Sequence, residues 1–235
     1  MDDGVVEPSN SPWANKVVFA AKPNGVGIRF CIAYEAVNKV TVKDVFPLPF
    51  MDDLIGQLDG ADYYSSIDLE AGFWQIGVAE CDRPKTAFMT PDGLYQFRRL
   101  PFGLQASPPN FQRLMNMVLK RLIWTECLCY LDDVLVMGRT WLKHNERLER
   151  VLTALQNAGL TLNPRKCLFG AKHVKFLGYM IDIHGVSSNP KKMEAILEFP
   201  RPDSPTKRRA FLGLAGFFRK FVQGFARTSW SQLQY

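Results

Sequence analysis

Two adjacent aspartates, Asp132 and Asp133, interrupt an otherwise apolar stretch, CLCYLDDVLVM. Like charges this close repel each other, and burial raises the cost unless a cation neutralises them. Mg²⁺ is a hard cation that typically binds one or two carboxylates together with phosphate oxygens. The pair therefore indicates either a metal site or an ordinary turn, where aspartate is common.

A third acid, Asp68, ends the strand-like segment SSIDLEAGF. Three carboxylates brought together by neighbouring strands can hold two metal ions roughly 3.5–4 Å apart. One ion would lower the pKa of an attacking hydroxyl, and the other would hold a triphosphate and its leaving pyrophosphate. The sequence contains no Ser/His/Asp arrangement or P-loop that competes for this role. The three acids therefore favour phosphoryl transfer, which depends mainly on positioning and charge neutralisation.

Turn residues and the spacing of apolar residues predict the hairpins and helices that position these acids. Hairpins are predicted around Asn24-Gly25, Asp92-Gly93 and Asp132-Asp133, and a further one in KHVKFLGYMIDIHG. Helices are predicted over 108–122, after the N-cap Ser107, and over 143–158, before Gly159. A short helix is expected to stop at Gly60, and a basic helix to follow Ser204.

Composition limits the class of protein. Hydrophobic residues make up 47% of the 235 residues, enough for a sizeable core. No apolar run reaches the roughly 18 residues that span a bilayer, and the polar N-terminus is no signal peptide, so we expect no membrane partner. The five cysteines form no CxxC pair and the three histidines are scattered. We therefore expect no structural zinc and an intracellular, cytoplasmic location.

The positive charge is concentrated towards the C-terminus. The formal net charge is +6, and 13 of the 29 Lys and Arg residues but only 4 of the 23 Asp and Glu residues follow Pro164. A basic region of this kind indicates either nucleic-acid binding or a solubilising surface. The basic side chains at the two ends of the tail helix are the candidates for nucleic-acid binding: Lys207, Arg208, Arg209, Arg219 and Lys220.

Seven segments occur in the order and spacing of one known family. They are SSIDLEAGFWQI, PKTAF, LPFGLQASPPNFQRLMN, YLDDVLV, LTLNPRKC, VKFLGYMI and RAFLGLAGFFRKF. From Glu7 to Phe225 the chain resembles the reverse transcriptases of gypsy-type LTR retrotransposons and related retroviruses. The resemblance implies an RNA-directed DNA polymerase that adds dNTPs to a primer 3′-hydroxyl on an RNA or DNA template, with two Mg²⁺ or Mn²⁺ ions.

The same resemblance implies an α+β right-hand polymerase with an antiparallel palm sheet. Fingers would comprise 1–42 and 76–106, the palm 43–75 and 107–183, and a partial, basic thumb 184–235. Because the family continues through a full thumb to an RNase H domain, this chain looks like an excised domain or a remnant reading frame. The resemblance leaves the oligomeric state, the primer and the host open.

Individual roles follow from the match of motifs. Asp68, Asp132 and Asp133 would bind the metals, with the Leu69 carbonyl as a further ligand. Phe73 would be the aromatic gate that excludes a 2′-hydroxyl, although a core aromatic is the commoner fate of phenylalanine. The remaining roles would be triphosphate binding by Lys22 and Arg29, the nucleotide-site floor at Phe102 and Gly103, and primer binding at Leu177 and Gly178.

One segment departs from the family. Where the family usually has Asp-Tyr-Arg, this chain has Ala33, Tyr34 and Glu35, which removes a fingers ion pair and places a negative charge near a polyphosphate site. The departure favours an alternative function, a catalytically impaired, retroelement-derived remnant that still binds nucleic acid. An RNA-recognition module is a third alternative, but no KGFGFVxF-like strand is present to support it.

Overall fold

The computed structural model describes residues 4–21, 27–58, 60–188 and 190–227. Helices and antiparallel strands are mixed, which confirms the α+β prediction. The strands are β1 (Val6–Pro8), β2 (Lys16–Ala21), β3 (Ile28–Ala33), β4 (Tyr63–Asp68), β5 (Phe88–Thr90), β6 (Gly93–Phe97), β7 (Cys127–Tyr130), β8 (Asp133–Gly138), β9 (Leu168–Ala171), β10 (His173–Phe176), β11 (Tyr179–Asp182) and β12 (Gly185–Ser188). The helices are α1 (Glu35–Val40), α2 (Met51–Gly56), α3 (Ser107–Val118), α4 (Trp141–Asn157), α5 (Pro190–Leu197) and α6 (Pro205–Gly216).

A four-stranded antiparallel sheet, in the order β7-β8-β4-β9, carries the acidic residues. Strands β7, β8 and β4 are largely buried, whereas the edge strand β9 is partly exposed. One face, with Ile67 and Val134, packs against α3 and α4. The opposite face, with Tyr64 and Leu135, packs against α2, β10 and β11. The central strands β4 and β8 are therefore held from two sides.

The two helices behind the sheet differ slightly from their predicted bounds. α3 ends at Val118, and the chain up to Thr125 forms successive turns. α4 ends as predicted, because the amide of Gly159 donates to the Gln156 carbonyl and that of Leu160 to the Leu155 carbonyl. This pair of bonds is a Schellman motif, and Gly159 adopts the left-handed conformation (φ 69°) that the motif requires.

The remaining predicted elements are largely present. A hairpin forms between β5 and β6 as predicted, but its turn residues are Pro91 and Asp92, because Gly93 begins β6 opposite Thr90. β10 and β11 pair as predicted, with β12 as a third strand. β2 and β3 pair, but the predicted Asn24-Gly25 turn lies outside the described residues. The prediction of a helix ending at Gly60 was wrong, because α2 ends at Gly56 and a turn follows.

The basic tail helix is anchored to the body of the molecule. The Ser204 side chain accepts a hydrogen bond from the Lys207 amide (3.3 Å), which is the predicted N-cap of α6. Beyond α6, the Phe217 ring stacks on Tyr179 of β11 with 4.9 Å between centroids. Among the described helices, none combines the length and apolar character needed to cross a membrane.

Candidate active site

The three acids meet at one end of the central strands. The antiparallel register places Asp68 of β4 opposite Asp133 of β8, and Asp133 opposite Tyr130 of β7. Leu131 joins β7 to β8 with a positive φ of 55°, an uncommon conformation for a bulky side chain. Asp132 follows in the same turn, so the three carboxyl groups occupy one end of the sheet, and all are half-buried.

Burial and mutual repulsion disfavour the charged forms of two of these acids. Burial first, and then the neighbouring Asp132 and Asp68 carboxylates, raise the pKa of Asp133 to about 6. Burial also raises the pKa of Asp132, with Asp68 adding to the shift. Negative charge therefore accumulates at this end of the sheet with incomplete compensation, an environment that a bound cation would relieve.

The raised pKa of Asp133 makes stability depend on pH. Between the ordinary value of 3.8 and about 6, the folded protein holds more protons at this carboxyl than the unfolded chain does. The free energy of unfolding therefore falls as pH rises through this window, and above it the destabilisation is complete.

We expect Asp133→Asn to raise the Tm of the metal-free protein by roughly 2–4 °C at pH 7.5. The gain should shrink as the pH is lowered towards 4.5, because the wild-type carboxyl is then protonated. Thermal unfolding with a chelator present measures both values. The matched control is Asp92→Asn, on an exposed turn, which should change neither the Tm at pH 7.5 nor the Tm at pH 4.5. If Asp133→Asn were no more stable than wild type at pH 7.5, the raised pKa assigned to Asp133 would be contradicted.

A lysine that the sequence did not single out neutralises part of this charge. Lys166 Nζ lies 3.2 Å from Asp68 Oδ1. The segment that carries Lys166 is fixed to the end of β4, because the Asn163 amide donates to the Asp68 carbonyl (2.9 Å). In the sequence, Lys166 belongs to the segment LTLNPRKC, which resembles the family. The segment alone does not show which of its basic side chains faces the acids.

The carboxylates do not form a preassembled metal-ligand cluster. Within 4–21, 27–58, 60–188 and 190–227, no three or more His, Cys, Asp and Glu side chains are arranged to hold a metal ion. Asp68 is engaged by Lys166 instead. The donor chemistry nevertheless fits a hard divalent cation, because the three acids and the Leu69 carbonyl offer only oxygen ligands.

Gly72 allows the chain to pass close to the acidic turn. Gly72 begins a 3₁₀ turn, Gly72–Gln75, directly after the left-handed residue Ala71 (φ 49°). A Cβ atom at Gly72 would lie 3.1 Å from the Asp132 Cβ and 3.5 Å from its Oδ2. A side chain here would push Asp132 by a few tenths of an ångström, so the glycine helps to set the position of that carboxylate.

Gln112 is a second residue that the sequence did not identify. Its side chain, on α3, is fully buried, and its Oε1 accepts a hydrogen bond from the Leu131 amide (2.7 Å). Its Nε2 donates to Asn116 Oδ1 (3.0 Å). Because Leu131 has an unfavourable positive φ, the hydrogen bond that its amide donates to Gln112 stabilises the turn that presents Asp132 and Asp133.

We expect Gln112→Leu to lower kcat by about ten- to a hundredfold, because small displacements of catalytic groups have effects of this size. The fold and the affinity for duplex should change little. Single-turnover nucleotide incorporation and duplex binding measure the two effects. Asn116→Ala is the matched control, since it removes a Gln112 partner that does not touch the turn. Wild-type kcat in Gln112→Leu would refute the positioning role.

Two predicted nucleotide-site aromatics lie next to each other. The Phe73 ring, in the 3₁₀ turn, lies 5.0 Å from that of Phe102 and 5.5 Å from that of the buried Phe111. Phe73 thus packs on the core beside the acids, and the Phe102 side chain is exposed. Gly103 follows with a φ of 95°. These contacts are compatible with both a gate and a core aromatic, so the role of Phe73 stays a prediction.

The other predicted residues lie further out. Arg29 is exposed on β3, in the separate β2-β3 sheet, and Lys22 lies outside the described residues. Leu177 and Gly178 form the β10-β11 turn with positive φ values of 48° and 86°. Leu177 and Tyr130 pack against the same core cluster, which connects this turn to the acidic one.

The predicted basic residues lie at the two ends of the tail segment. Lys207, Arg208 and Arg209 begin α6, and Lys207 pairs with Asp203 at 2.7 Å. Arg219 is exposed after α6, and the side chain of Lys220 lies outside the description. The tail thus carries exposed positive charge next to the β10-β12 sheet, to which Phe217 and Phe221 attach it.

The tripeptide Ala33-Tyr34-Glu35, which differs from the family pattern, is well packed at its central residue. The Tyr34 side chain is buried and its hydroxyl donates to the Thr86 carbonyl (2.9 Å). Ala33 ends β3 opposite Lys16. Glu35 is exposed at the start of α1, where a negative charge is favourable. The two substitutions are therefore accommodated by the fold.

Comparison with known proteins places this geometry among polymerases. Residues 21–181 match the family model described as reverse transcriptase (RNA-dependent DNA polymerase). The chain is 38% identical over 233 residues to the retrovirus-related Pol polyprotein from transposon opus of Drosophila melanogaster, covering 97% of this chain and 23% of that protein. It is 34% identical over 232 residues to the corresponding polyprotein from transposon gypsy of the same organism, covering 96% and 22%.

Solved structures give the same result for the fold. A foamy viral protease-reverse transcriptase (dRH) in complex with double-stranded DNA superposes with a TM-score of 0.90 at 27% identity, over 98% of this chain and 41% of that one. A foamy viral protease-reverse transcriptase in complex with an RNA/DNA hybrid gives 0.82 at 26% identity, over 92% and 29%. The expected polymerase fold is confirmed, and the chain spans less than a quarter of the curated relatives.

Proposed function

The chain belongs to the reverse transcriptase family, and on this premise we propose that it catalyses RNA-directed DNA synthesis, adding dNTPs to a primer 3′-hydroxyl. The single observation that supports the proposal most strongly is the strand register that pairs Asp68 with Asp133 beside Asp132. The raised pKa values of Asp132 and Asp133 add to it, because they mark a site short of positive charge.

Reverse transcriptases generally use divalent metal ions, and we propose that two Mg²⁺ or Mn²⁺ ions bind here. Asp68, Asp132, Asp133 and the Leu69 carbonyl would hold them. Such ions, when bound, lower the pKa of the attacking hydroxyl and neutralise the triphosphate and the departing pyrophosphate. Lys166 Nζ, 3.2 Å from Asp68 Oδ1, would offset part of the negative charge at the site.

We assign the surrounding parts from the match of the sequence motifs to the family. Fingers would comprise 1–42 and 76–106, with Arg29 and Lys22 on the triphosphate. The palm, 43–75 and 107–183, would contribute the acids and the gate Phe73, with Phe102 and Gly103 as the floor beneath the nucleotide. Leu177 and Gly178 would hold the primer end.

Residues 184–235 would form the partial thumb. Its basic side chains would bind the phosphates of a duplex, so the affinity for duplex should fall as salt rises. The structures of foamy viral enzymes in complex with double-stranded DNA or an RNA/DNA hybrid support nucleic acid as the partner.

Template choice tests the proposed activity. The assay compares extension of one DNA primer on RNA and DNA templates of identical sequence, with dNTPs and Mg²⁺ or Mn²⁺. Extension on the RNA template is the expected result. Extension on DNA alone would show a DNA-directed polymerase and refute the proposed template class.

A second candidate function rests on Ala33 and Glu35. These residues replace both charged partners of the family's ion pair, and Glu35 is exposed within the segment 1–42 that we assign to the fingers. A catalytically impaired, nucleic-acid-binding remnant would bind duplex in a salt-dependent way without extending a primer. Restoring the family residues with Ala33→Asp/Glu35→Arg would then be expected to recover activity.

We also propose an intracellular, cytoplasmic location. All five cysteines are free thiols, which suits a reducing compartment. Burial raises the pKa of the Cys127 thiol to about 12, which makes it unreactive. Cell fractionation of a tagged chain tests the location, and electrophoresis under non-reducing conditions tests whether its cysteines stay free thiols.

A further inference from the structure

The loop 101–106, which carries Phe102 and Gly103, is tied to α1 by side-chain hydrogen bonds. Asn38 Nδ2 donates to the Gly103 carbonyl (2.9 Å), and Asn38 Oδ1 accepts from the Gln105 backbone amide (2.9 Å). One carboxamide thus satisfies a carbonyl and an amide of the same loop, as a neighbouring strand would. The loop therefore has a fixed partner without belonging to a sheet.

Gln105 makes bonds in the opposite direction. Its Nε2 donates to the Asn38 carbonyl (2.9 Å) and to the Thr41 carbonyl (3.0 Å). Carbonyls at the C-terminus of a helix have no partner within that helix, so this side chain satisfies the end of α1. The two residues together make four hydrogen bonds between α1 and the loop, and both side chains are half-buried.

Through Phe102, the anchored loop contacts Phe73, the other aromatic residue predicted for the nucleotide site. The Phe102 ring lies 5.0 Å from Phe73. A Cβ atom at Gly103 would lie 3.4 Å from the Ile32 carbonyl and 3.5 Å from the Tyr34 ring, and its φ of 95° disfavours other residues. Any movement of the loop relative to α1 therefore moves Phe102 against Phe73.

We propose that Asn38 and Gln105 are positioning residues that hold the floor of the nucleotide site in its binding-competent conformation. The inference rests on the proposed function, in which Phe102 and Gly103 lie beneath the incoming dNTP. Without the anchor, only a fraction of molecules would present the floor correctly, and the apparent dNTP affinity would fall by that fraction. Chemistry in the occupied site would be unchanged.

The test is steady-state incorporation of a single dNTP by Asn38→Ala. We expect the KM for dNTP to rise about tenfold, the size expected for lost neutral hydrogen bonds, with kcat and duplex affinity within about twofold. Asn38→Asp should be at least as impaired, because it keeps the acceptor for Gln105 but places a carboxylate oxygen against the Gly103 carbonyl. Asn145→Ala, at an exposed asparagine of α4, is the matched control.

Amide hydrogen exchange over 101–106, measured without substrate, separates this inference from the proposed function. Faster exchange confined to the loop in Asn38→Ala, together with the raised KM, supports the positioning role. Unchanged exchange overturns it, even if the wild type extends no primer and the proposed function itself fails. A lower kcat and weaker duplex binding at constant KM would also overturn it, since that pattern indicates general damage to the fold.

Discussion

Asp132→Asn is expected to reduce single-nucleotide incorporation by at least about a thousandfold, because bound metal ions contribute several kcal/mol of transition-state stabilisation. The substitution keeps the shape of the side chain but removes the charge that would bind the metal. Asp132 is half-buried and its pKa is raised, so neutralising it should not destabilise the fold.

Rapid-quench incorporation measures the effect of Asp132→Asn, and a salt titration of duplex binding serves as the control for folding. Asp92→Asn, on the exposed β5-β6 turn, should behave as wild type in both assays. Retention of more than about a tenth of the wild-type rate would contradict the role of Asp132 as a metal ligand, since a neutral amide oxygen holds Mg²⁺ more weakly than a charged carboxylate does.

Phe73→Ala is expected to reduce the preference for dNTP over rNTP by roughly ten- to a hundredfold, the range that removal of apolar bulk produces in a specificity pocket. The Phe73 ring is fixed from two sides by Phe102 and the buried Phe111. A fixed ring can exclude a 2′-hydroxyl sterically, whereas a mobile one would move aside.

Competition between a dNTP and the matching rNTP gives the discrimination directly as a ratio of kcat/KM values. Trp74→Ala is the control, because this neighbouring ring also contacts Phe102 but is more exposed. If Phe73→Ala loses stability but keeps its discrimination, Phe73 is a core aromatic and the gate assignment is wrong.

The acids could be found from the sequence because each interrupts or ends an apolar strand. Asp68 ends β4, Asp132 lies in the turn between β7 and β8, and Asp133 begins β8. Charged side chains are seldom buried unless they are paired. Their pairing across the sheet follows from antiparallel strands. The resemblance to the family extended this to the neighbouring loops, but the residues themselves did not assign those roles.

Lys166 and Gln112 could not be predicted in the same way. Lys166 is a surface charge in the sequence, and only the return of its segment beside β4 brings it to Asp68. Gln112 lies among the apolar residues of an amphipathic helix, where a glutamine normally faces solvent. Its buried side chain accepts a hydrogen bond from the amide of Leu131, a residue with positive φ, and local sequence patterns do not reveal this contact.

The errors in element bounds also have physical causes. Leu119 and Leu122 continue the helical spacing of α3 beyond Val118, but they pack against the same core from successive turns. Gly60 has the positive φ expected after a helix, yet α2 already ends at Gly56 and Gln57 lies in a turn. Apolar spacing records which residues face the core, not the hydrogen bonds that end a helix.

The most direct test of a metal-dependent polymerase site at Asp68, Asp132 and Asp133 is extension of a DNA primer on an RNA template. Wild type is compared with the double variant Asp132→Asn/Asp133→Asn, with Mg²⁺ or Mn²⁺ and dNTPs. We predict extension by the wild type and none by the double variant, while both bind duplex equally and in a salt-dependent way. Equal extension by both proteins, or none by a folded wild type that still binds duplex, would contradict the account.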